Sequence, residues 1–165
     1  MKVRLAAPFT EDSIVDGEGI RTVIWFQGCS HKCKGCQNPE TWPFDDGMEY
    51  DIEEVKEMID DLEDQDGITF SGGDPMYQPE ALLELAKYTH EKGMNVWVYT
   101  GFTYEQLLKM KPIYKEILEN TDVLIDGKFV MSKKTMNAKF RGSSNQKVIN
   151  ASESIKQGKV IIRYE

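Results

Sequence analysis

Arg21-Thr-Val-Ile-Trp-Phe26-Gln-Gly28-Cys29-Ser-His31-Lys-Cys33-Lys-Gly35-Cys36 joins a β-branched and aromatic run to the only three cysteines of the chain. Val, Ile, Trp and Phe fit a pleated surface packed on both sides, so residues 21–26 read as a buried strand that gives way at Gly28. The loop behind it gathers Cys29, Cys33 and Cys36 into eight residues. An odd number of thiols packed that closely reads as a metal ligand set rather than a disulfide framework. With no fourth cysteine, an iron-sulfur cube held here is ligated at three irons and open at the fourth, where a small molecule can coordinate. The same thiols with His31 also satisfy a Cys3His zinc site, which asks only for tetrahedral closure.

Outward from that loop the chain keeps a strand and helix rhythm. Residues 42–50 read as a loop. Asp51 then opens a helix that runs toward Gly67, its side chain capping the first turn with Glu54 in reciprocal position, and Ile52, Val55, Ile59 and Leu62 forming the apolar face. Ile68–Ser71 is the next strand, and Pro79–Lys92 the next helix, with Leu82, Leu85, Ala86 and Thr89 on one side and Gly93 as its stop. Asn95–Thr100 is a strand, Thr103–Met110 and Pro112–Asn120 are helices, and Val123–Asp126 is again a strand. Past Lys128 the pattern weakens into a polar connection, a short strand at Lys147–Asn150 and a last apolar run at Val160–Ile162. No internal repeat is visible. Alternation of this kind predicts a parallel α/β sheet whose active residues sit where strands end and loops begin. The loops at Cys29, Gly72, Thr100 and Asp126 then share one edge. At 165 residues the chain is too short for a full eight-fold barrel, so an open, incomplete (βα) barrel in a single domain over residues 1–165 is expected.

Composition bounds the function. Hydrophobic content of 40% and charged content of 29% suit an ordinary globular protein. The longest apolar runs are far too short to cross a bilayer and no targeting segment is visible, so no membrane role is expected. Closely spaced reduced thiols predict a cytoplasmic setting. A formal charge of -8 disfavours nucleic acid as a partner. The charge is uneven: twelve acids and one base, Lys56, lie between Asp45 and Asp66, against six Lys or Arg and no acid between Gly127 and Ser152. The acidic stretch is the solvated face of the first helix. The basic stretch, from Lys128 to Lys147, is either a solvated loop or a docking surface. His31, Lys32 and Lys34 interleave with the cysteines and either present a positive face to an acidic electron donor or are simply solvated.

Other motifs carry two readings each. Gly72-Gly73 is a tight turn, or a place where a ligand lies against bare backbone beside Asp74. Asp126 and Lys128 point to the same side if the strand continues, or form a strand-end ion pair. His90, among Lys87, Glu91 and Lys92, reads as a surface residue without a role.

Cys29-x3-Cys33-x2-Cys36 after one strand, with Gly72-Gly73-Asp74-Pro75 at the end of the next, resembles the radical S-adenosylmethionine (SAM) superfamily. Ser13-Ile-Val-Asp-Gly17-Glu-Gly-Ile-Arg21 and Cys36-Gln-Asn38-Pro-Glu-Thr-Trp42 are similar to segments of the glycyl radical enzyme activases within it. Val98-Tyr-Thr-Gly101, Val123-Leu-Ile-Asp-Gly-Lys-Phe129 and Phe140-Arg-Gly-Ser-Ser-Asn145 resemble the branch that acts on the anaerobic ribonucleoside-triphosphate reductase. The resemblance covers nearly the whole chain. It departs from the wider superfamily in Gly35, where an aromatic residue is common, in Asp74 for Glu, in Glu18 for Pro, and in Tyr99 where some activases have an acid.

The resemblance implies a radical SAM type of incomplete barrel. It makes Cys29, Cys33 and Cys36 the ligands of a 4Fe-4S cluster whose open iron takes the amino and carboxylate groups of SAM. Gly72, Gly73 and Asp74 line the methionine moiety, Gly35 and Gln37 lie against the cofactor beside Cys36, and Thr100, Asp126 and Lys128 contact its ribose or carboxylate side. Reductive cleavage of SAM then yields a 5'-deoxyadenosyl radical that takes hydrogen from a glycine of the reductase large subunit, with a flavodoxin or ferredoxin type donor supplying the electron. The alternatives are activation of another glycyl radical enzyme of the pyruvate formate-lyase type, 7-carboxy-7-deazaguanine synthase, and a zinc-binding module without catalysis.

Overall fold

The computed structural model describes residues Met1–Glu165. Its strands are β1 (Lys2–Leu5), β2 (Thr10–Ser13), β3 (Arg21–Phe26), β4 (Met48–Asp51), β5 (Gly67–Gly72), β6 (Asn95–Tyr99), β7 (Val123–Asp126), β8 (Lys147–Asn150) and β9 (Ile162–Tyr164). The helices are α1 (Ile52–Asp60), α2 (Pro79–Glu91), α3 (Tyr104–Leu108), α4 (Pro112–Glu119) and α5 (Ala151–Gln157). All nine strands form one open sheet in the order β4-β1-β3-β5-β6-β7-β8-β9, with β2 paired beside β1 along the same edge of β3.

The expected parallel sheet is its centre only. β3, β5, β6 and β7 run parallel, with Ile24 opposite Phe70, Phe70 opposite Val98 and Val98 opposite Leu124. The flanks are antiparallel: β1, β2 and β4 on one side, β8 and β9 on the other. The sheet is open, as expected, since its edge strands β4 and β9 do not pair with each other.

Alternation along the central strands sorts two faces. Ile24, Phe26, Ile68, Phe70, Val96, Val98 and Leu124 turn to the helices, where they are fully buried with Val55, Ile59, Leu82, Leu85 and Ile117. Each such side chain contributes about 1.5–3 kcal/mol when fully buried. The opposite face carries Trp97, Val123, Ile125 and Val148, with Phe140 packed edge-on against Trp97 and Tyr164 tilted against Phe140. Arg21 lies on this second face, wholly buried. Its guanidinium donates to Thr69 Oγ1 at 2.8 Å, to the Glu18 carbonyl at 3.0 Å and to the Ile68 carbonyl at 3.0 Å, and sits 5.3 Å over the Trp97 ring. Burial lowers its pKa to about 10.

Several local expectations change. Residues 42–50 are not all loop, because Met48–Asp51 pairs with β1 as an edge strand. Asp51 does not cap α1 with its side chain; the carboxylate is drawn to Lys2 Nζ at 2.7 Å. That helix stops at Asp60, short of Gly67. β1, β2 and α5 have no counterpart in the expected element order. The last apolar run, Val160–Ile162, only begins a strand at its end, Ile162–Tyr164, because Ile161 N–H donates to Ser154 Oγ of α5 and its carbonyl accepts from Asn150 N–H at the end of β8.

Candidate metal and cofactor site

The four loops expected at one edge do meet there, since they follow the four parallel strands in order. The cysteine loop is rooted by backbone pairs: Gly73 N–H donates to Phe26 at 2.8 Å, Asp74 N–H to Gly28 at 2.9 Å, Gly28 N–H to Thr41 at 2.7 Å and Cys29 N–H to Trp42 at 3.0 Å. The Pro39–Thr41 turn, with Thr41 Oγ1 bonded to the Asn38 carbonyl, returns the chain beneath it.

Gly72 and Gly73 are required by that packing. Gly72 takes φ +106°, and a methyl group on it would strike the backbone of Phe26. A methyl on Gly73 would lie 2.5 Å from the Gly28 carbonyl oxygen and 2.9 Å from that of Thr41. The tight-turn reading of the pair therefore holds, and the turn sets the glycine loop directly against the root of the cysteine loop.

Asp74 is 1% exposed and is the most heavily bonded carboxylate at this edge. It accepts from Met76 N–H at 3.0 Å, from Thr100 Oγ1 at 2.9 Å, from Gly101 N–H at 2.9 Å and from His31 Nε2 at 2.7 Å. Three loops thus converge on one carboxylate. His31 was not assigned there from sequence, where it appeared as a zinc ligand or part of a positive face; its side chain is only 7% exposed, so it presents no charge to solvent. Its ring packs on Phe102 at 4.7 Å and Tyr77 at 5.6 Å. The signal available in the sequence was its place between two cysteines.

The thiols are partly sheltered. Burial, aided by the Asp74 charge, pushes the Cys29 thiol up to about 11, with a backbone N–H of His31 acting the other way. Cys33 is also raised by burial, with the Phe129 backbone and Lys128 acting the other way. Thiols in such a setting carry protons until a metal displaces them. Cys33 opens onto a cleft of about 550 Å³ lined by His31, Lys34, Lys128, Phe129, Val130 and Met131. Lys128 is thereby brought to the cysteine loop. Lys32 and Lys34 are exposed.

The remaining expected contacts divide. Gly35 is exposed but abuts Met131 and Phe129 on the side where a methyl group would point, and Gln37 is exposed at the loop's end. Thr100 is 6% exposed, its hydroxyl turned to Asp74. Asp126 is 1% exposed and accepts from Tyr104 N–H at 2.9 Å and Lys147 N–H at 3.1 Å. Burial raises its pKa despite those bonds. It does not share a side with Lys128, because Gly127 takes φ +89° and turns the chain. His90 lies elsewhere, half-exposed and bonded to Asp122 at 2.7 Å.

By kind, the residues at this edge suit an iron-sulfur cluster with a polar cofactor: three thiols on one loop, a glycine turn beside them, and Asn145 Oδ1, a buried acceptor with no donor of its own; as they stand, no three Cys, His, Asp or Glu side chains are gathered closely enough to hold a metal ion. Asn145 stands next to this edge, its amide donating to the Lys128 carbonyl at 2.8 Å.

A family model described as a 4Fe-4S single cluster domain matches residues 15–149. The chain is 38% identical over 142 residues to an anaerobic ribonucleoside-triphosphate reductase-activating protein of Pasteurella multocida, covering 81% of this chain and 89% of that one. It is 34% identical to the protein of that name from Escherichia coli K12, over 82% of this chain and 91% of that one. The bacteriophage T4 protein of that name is 32% identical over 86% and 90% of the two chains. The chain belongs to the family of anaerobic ribonucleoside-triphosphate reductase-activating proteins, built on a 4Fe-4S cluster domain.

Proposed function

We propose that this chain, as one domain and an incomplete (βα) barrel of the radical SAM type, activates anaerobic ribonucleoside-triphosphate reductase in a reducing, cytoplasmic setting. The observation that carries the reading is the convergence of the three-cysteine loop with Gly72-Gly73-Asp74 at one sheet edge, in a chain whose relatives bear that name. Cys29, Cys33 and Cys36 hold the 4Fe-4S cluster, and the backbone at Gly72 and Gly73 lines the SAM beside it. When bound, the reduced cluster and SAM supply a one-electron cleavage that gives methionine and a 5'-deoxyadenosyl radical able to take the α-hydrogen of a glycine in the reductase large subunit.

The chain's own residues position and shelter that chemistry. Phe129, Val130 and Met131 wall the cleft beside Cys33 with apolar groups, which keep water and stray hydrogen donors from a radical. Asp74 and Asp126 have their oxygens occupied by N–H and O–H donors, so they hold loops in place and move no proton. Thr100 acts through Asp74, whereas Lys128 and Asn145 Oδ1 offer the cofactor a cation and an acceptor. Exposed Lys32 and Lys34 face an acidic flavodoxin or ferredoxin type donor. An open sheet leaves room for a protein segment to reach the cleft.

The test is anaerobic incubation of the reconstituted protein with SAM, a reductant and the reductase large subunit, read by electron paramagnetic resonance. A glycyl radical doublet that disappears when the target glycine is replaced supports the reading. Radical formation only on a pyruvate formate-lyase type enzyme, or turnover of a small pterin with no protein partner, refutes it.

A further inference from the structure

We propose that His31 is a positioning residue: its hydrogen bond to Asp74 is a strut that sets the outer half of the cysteine loop against the Gly72-Gly73 turn, and so sets where SAM sits relative to the cluster. The inference rests on the proposed function, which places the cluster on one side of this strut and the cofactor on the other.

The root of the loop is held by backbone bonds at residues 28 and 29, but those bonds end at Cys29. Beyond it, Cys36 N–H reaches only the Cys33 carbonyl, and Asn38 N–H only the Cys36 sulfur, both inside the loop. Lys32 and Lys34 point to solvent. The ties from this outer segment to the body are Ser30 Oγ to Tyr77 Oη, the Cys33 thiol to the Phe129 backbone, and His31 to Asp74. The third alone joins a buried side chain to a buried carboxylate, at 2.7 Å with exposures of 7% and 1%.

The body is shaped to receive that ring. His31 packs edge-on against Phe102 and tilted against Tyr77. A methyl group on Gly101 would lie 2.5 Å from the ring, so the residue after Thr100 has no side chain where the imidazole lies. Asp74, the acceptor, is continuous with Gly73 and is fixed from behind by Thr100 Oγ1, Gly101 N–H and Met76 N–H. Movement of His31 is thus passed to a rigid support one residue from the glycine turn. His31 also lies between Cys29 and Cys33, so the strut ties to that turn the segment that leads from the rooted ligand Cys29 to the second ligand.

Two variants separate hydrogen bonding from ring packing. His31→Phe keeps a ring in the slot and removes the donor; His31→Gln keeps an N–H donor and removes the ring. Both are reconstituted anaerobically beside the parent, assayed for iron and sulfide, and titrated with SAM while the reduced cluster's paramagnetic resonance is recorded. We expect parent cluster content in both, SAM affinity about ten- to hundredfold weaker in His31→Phe, as for loss of a bond to a charged group, and within about threefold of the parent in His31→Gln. His31→Phe with the parent's affinity overturns the proposal, as does His31→Gln as weak as His31→Phe. Loss of the cluster itself in His31→Phe also overturns it, because the residue would then serve assembly rather than cofactor placement. A parent whose signal ignores SAM refutes the proposed function and this inference together.

Discussion

Replacing Gly73 with alanine puts a methyl group where two backbones already touch. The added carbon would lie 2.5 Å from the Gly28 oxygen, 2.8 Å from its carbon and 2.9 Å from the Thr41 oxygen, and none of these can swing aside as a side chain does. The strands must part by about 0.5–0.9 Å before the nearest contact reaches 3.0–3.4 Å. Two bonds cross that gap, Gly73 N–H to Phe26 at 2.8 Å and Asp74 N–H to Gly28 at 2.9 Å, and such a shift carries both beyond good geometry. Overpacking costs about 1–3 kcal/mol and each weakened bond about 1 kcal/mol, so the loss is about 3–5 kcal/mol. For a chain of this length that lowers Tm by about 6–20 °C. Thermal unfolding of the anaerobic, metal-free protein by circular dichroism measures it. Gly93→Ala is the control: its methyl meets nothing within 4 Å, and φ +79° alone costs about 1–2 kcal/mol. A Gly73→Ala protein melting within about 2 °C of the parent, or no lower than Gly93→Ala, refutes the reasoning.

Arg21→Leu leaves the Glu18 and Ile68 carbonyls and the Thr69 hydroxyl oxygen without the donor that Arg21 supplies in a buried site, and should destabilise by about 2–4 kcal/mol in urea titration. Glu18 holds Arg163 through both oxygens, which together with Tyr164 lowers its pKa from 4.5 to about 2. A depressed carboxylate stabilises above its unfolded pKa, so Arg163→Met should cost about 1 kcal/mol or less at pH 7, the pair being more than a third exposed. That difference should close between pH 4.5 and about 2; a gap that persists at pH 2 argues against the assignment. Neutralising Lys133, Lys134 and Lys139 should weaken reductase binding and flatten its salt dependence, measured by titration at low and high salt. Neutralising Lys32 and Lys34 should do the same to the rate of cluster reduction by flavodoxin, and an unchanged rate removes those residues from the donor surface.

The four parallel strands and β8 were legible because each holds β-branched or aromatic residues bounded by glycine or a polar turn: β3, β7 and β8 fall where the pattern puts them, and β5 and β6 within a residue. The edges were not. Thr10-Glu-Asp-Ser13 is polar and largely exposed, so β2 has no hydrophobic alternation to read, and Met48-Glu-Tyr-Asp51 is an exposed edge whose only mark is its pairing with β1. α5, Ala-Ser-Glu-Ser-Ile-Lys-Gln, offers one large apolar residue. At the site, the cysteines and glycines announced themselves by spacing, and the structure brings their loops together. What spacing did not carry is direction. The inward turn of His31, and the backbone donors that occupy Asp126, depend on which neighbours the tertiary fold supplies.

The most direct test of the whole account is electron paramagnetic resonance of the anaerobically reconstituted, dithionite-reduced protein, with and without SAM. The account predicts a reduced 4Fe-4S signal that changes when SAM is added, and loses that signal on replacement of Cys29, Cys33 or Cys36. One zinc per chain with neither iron nor sulfide, or a cluster signal indifferent to SAM, would contradict it.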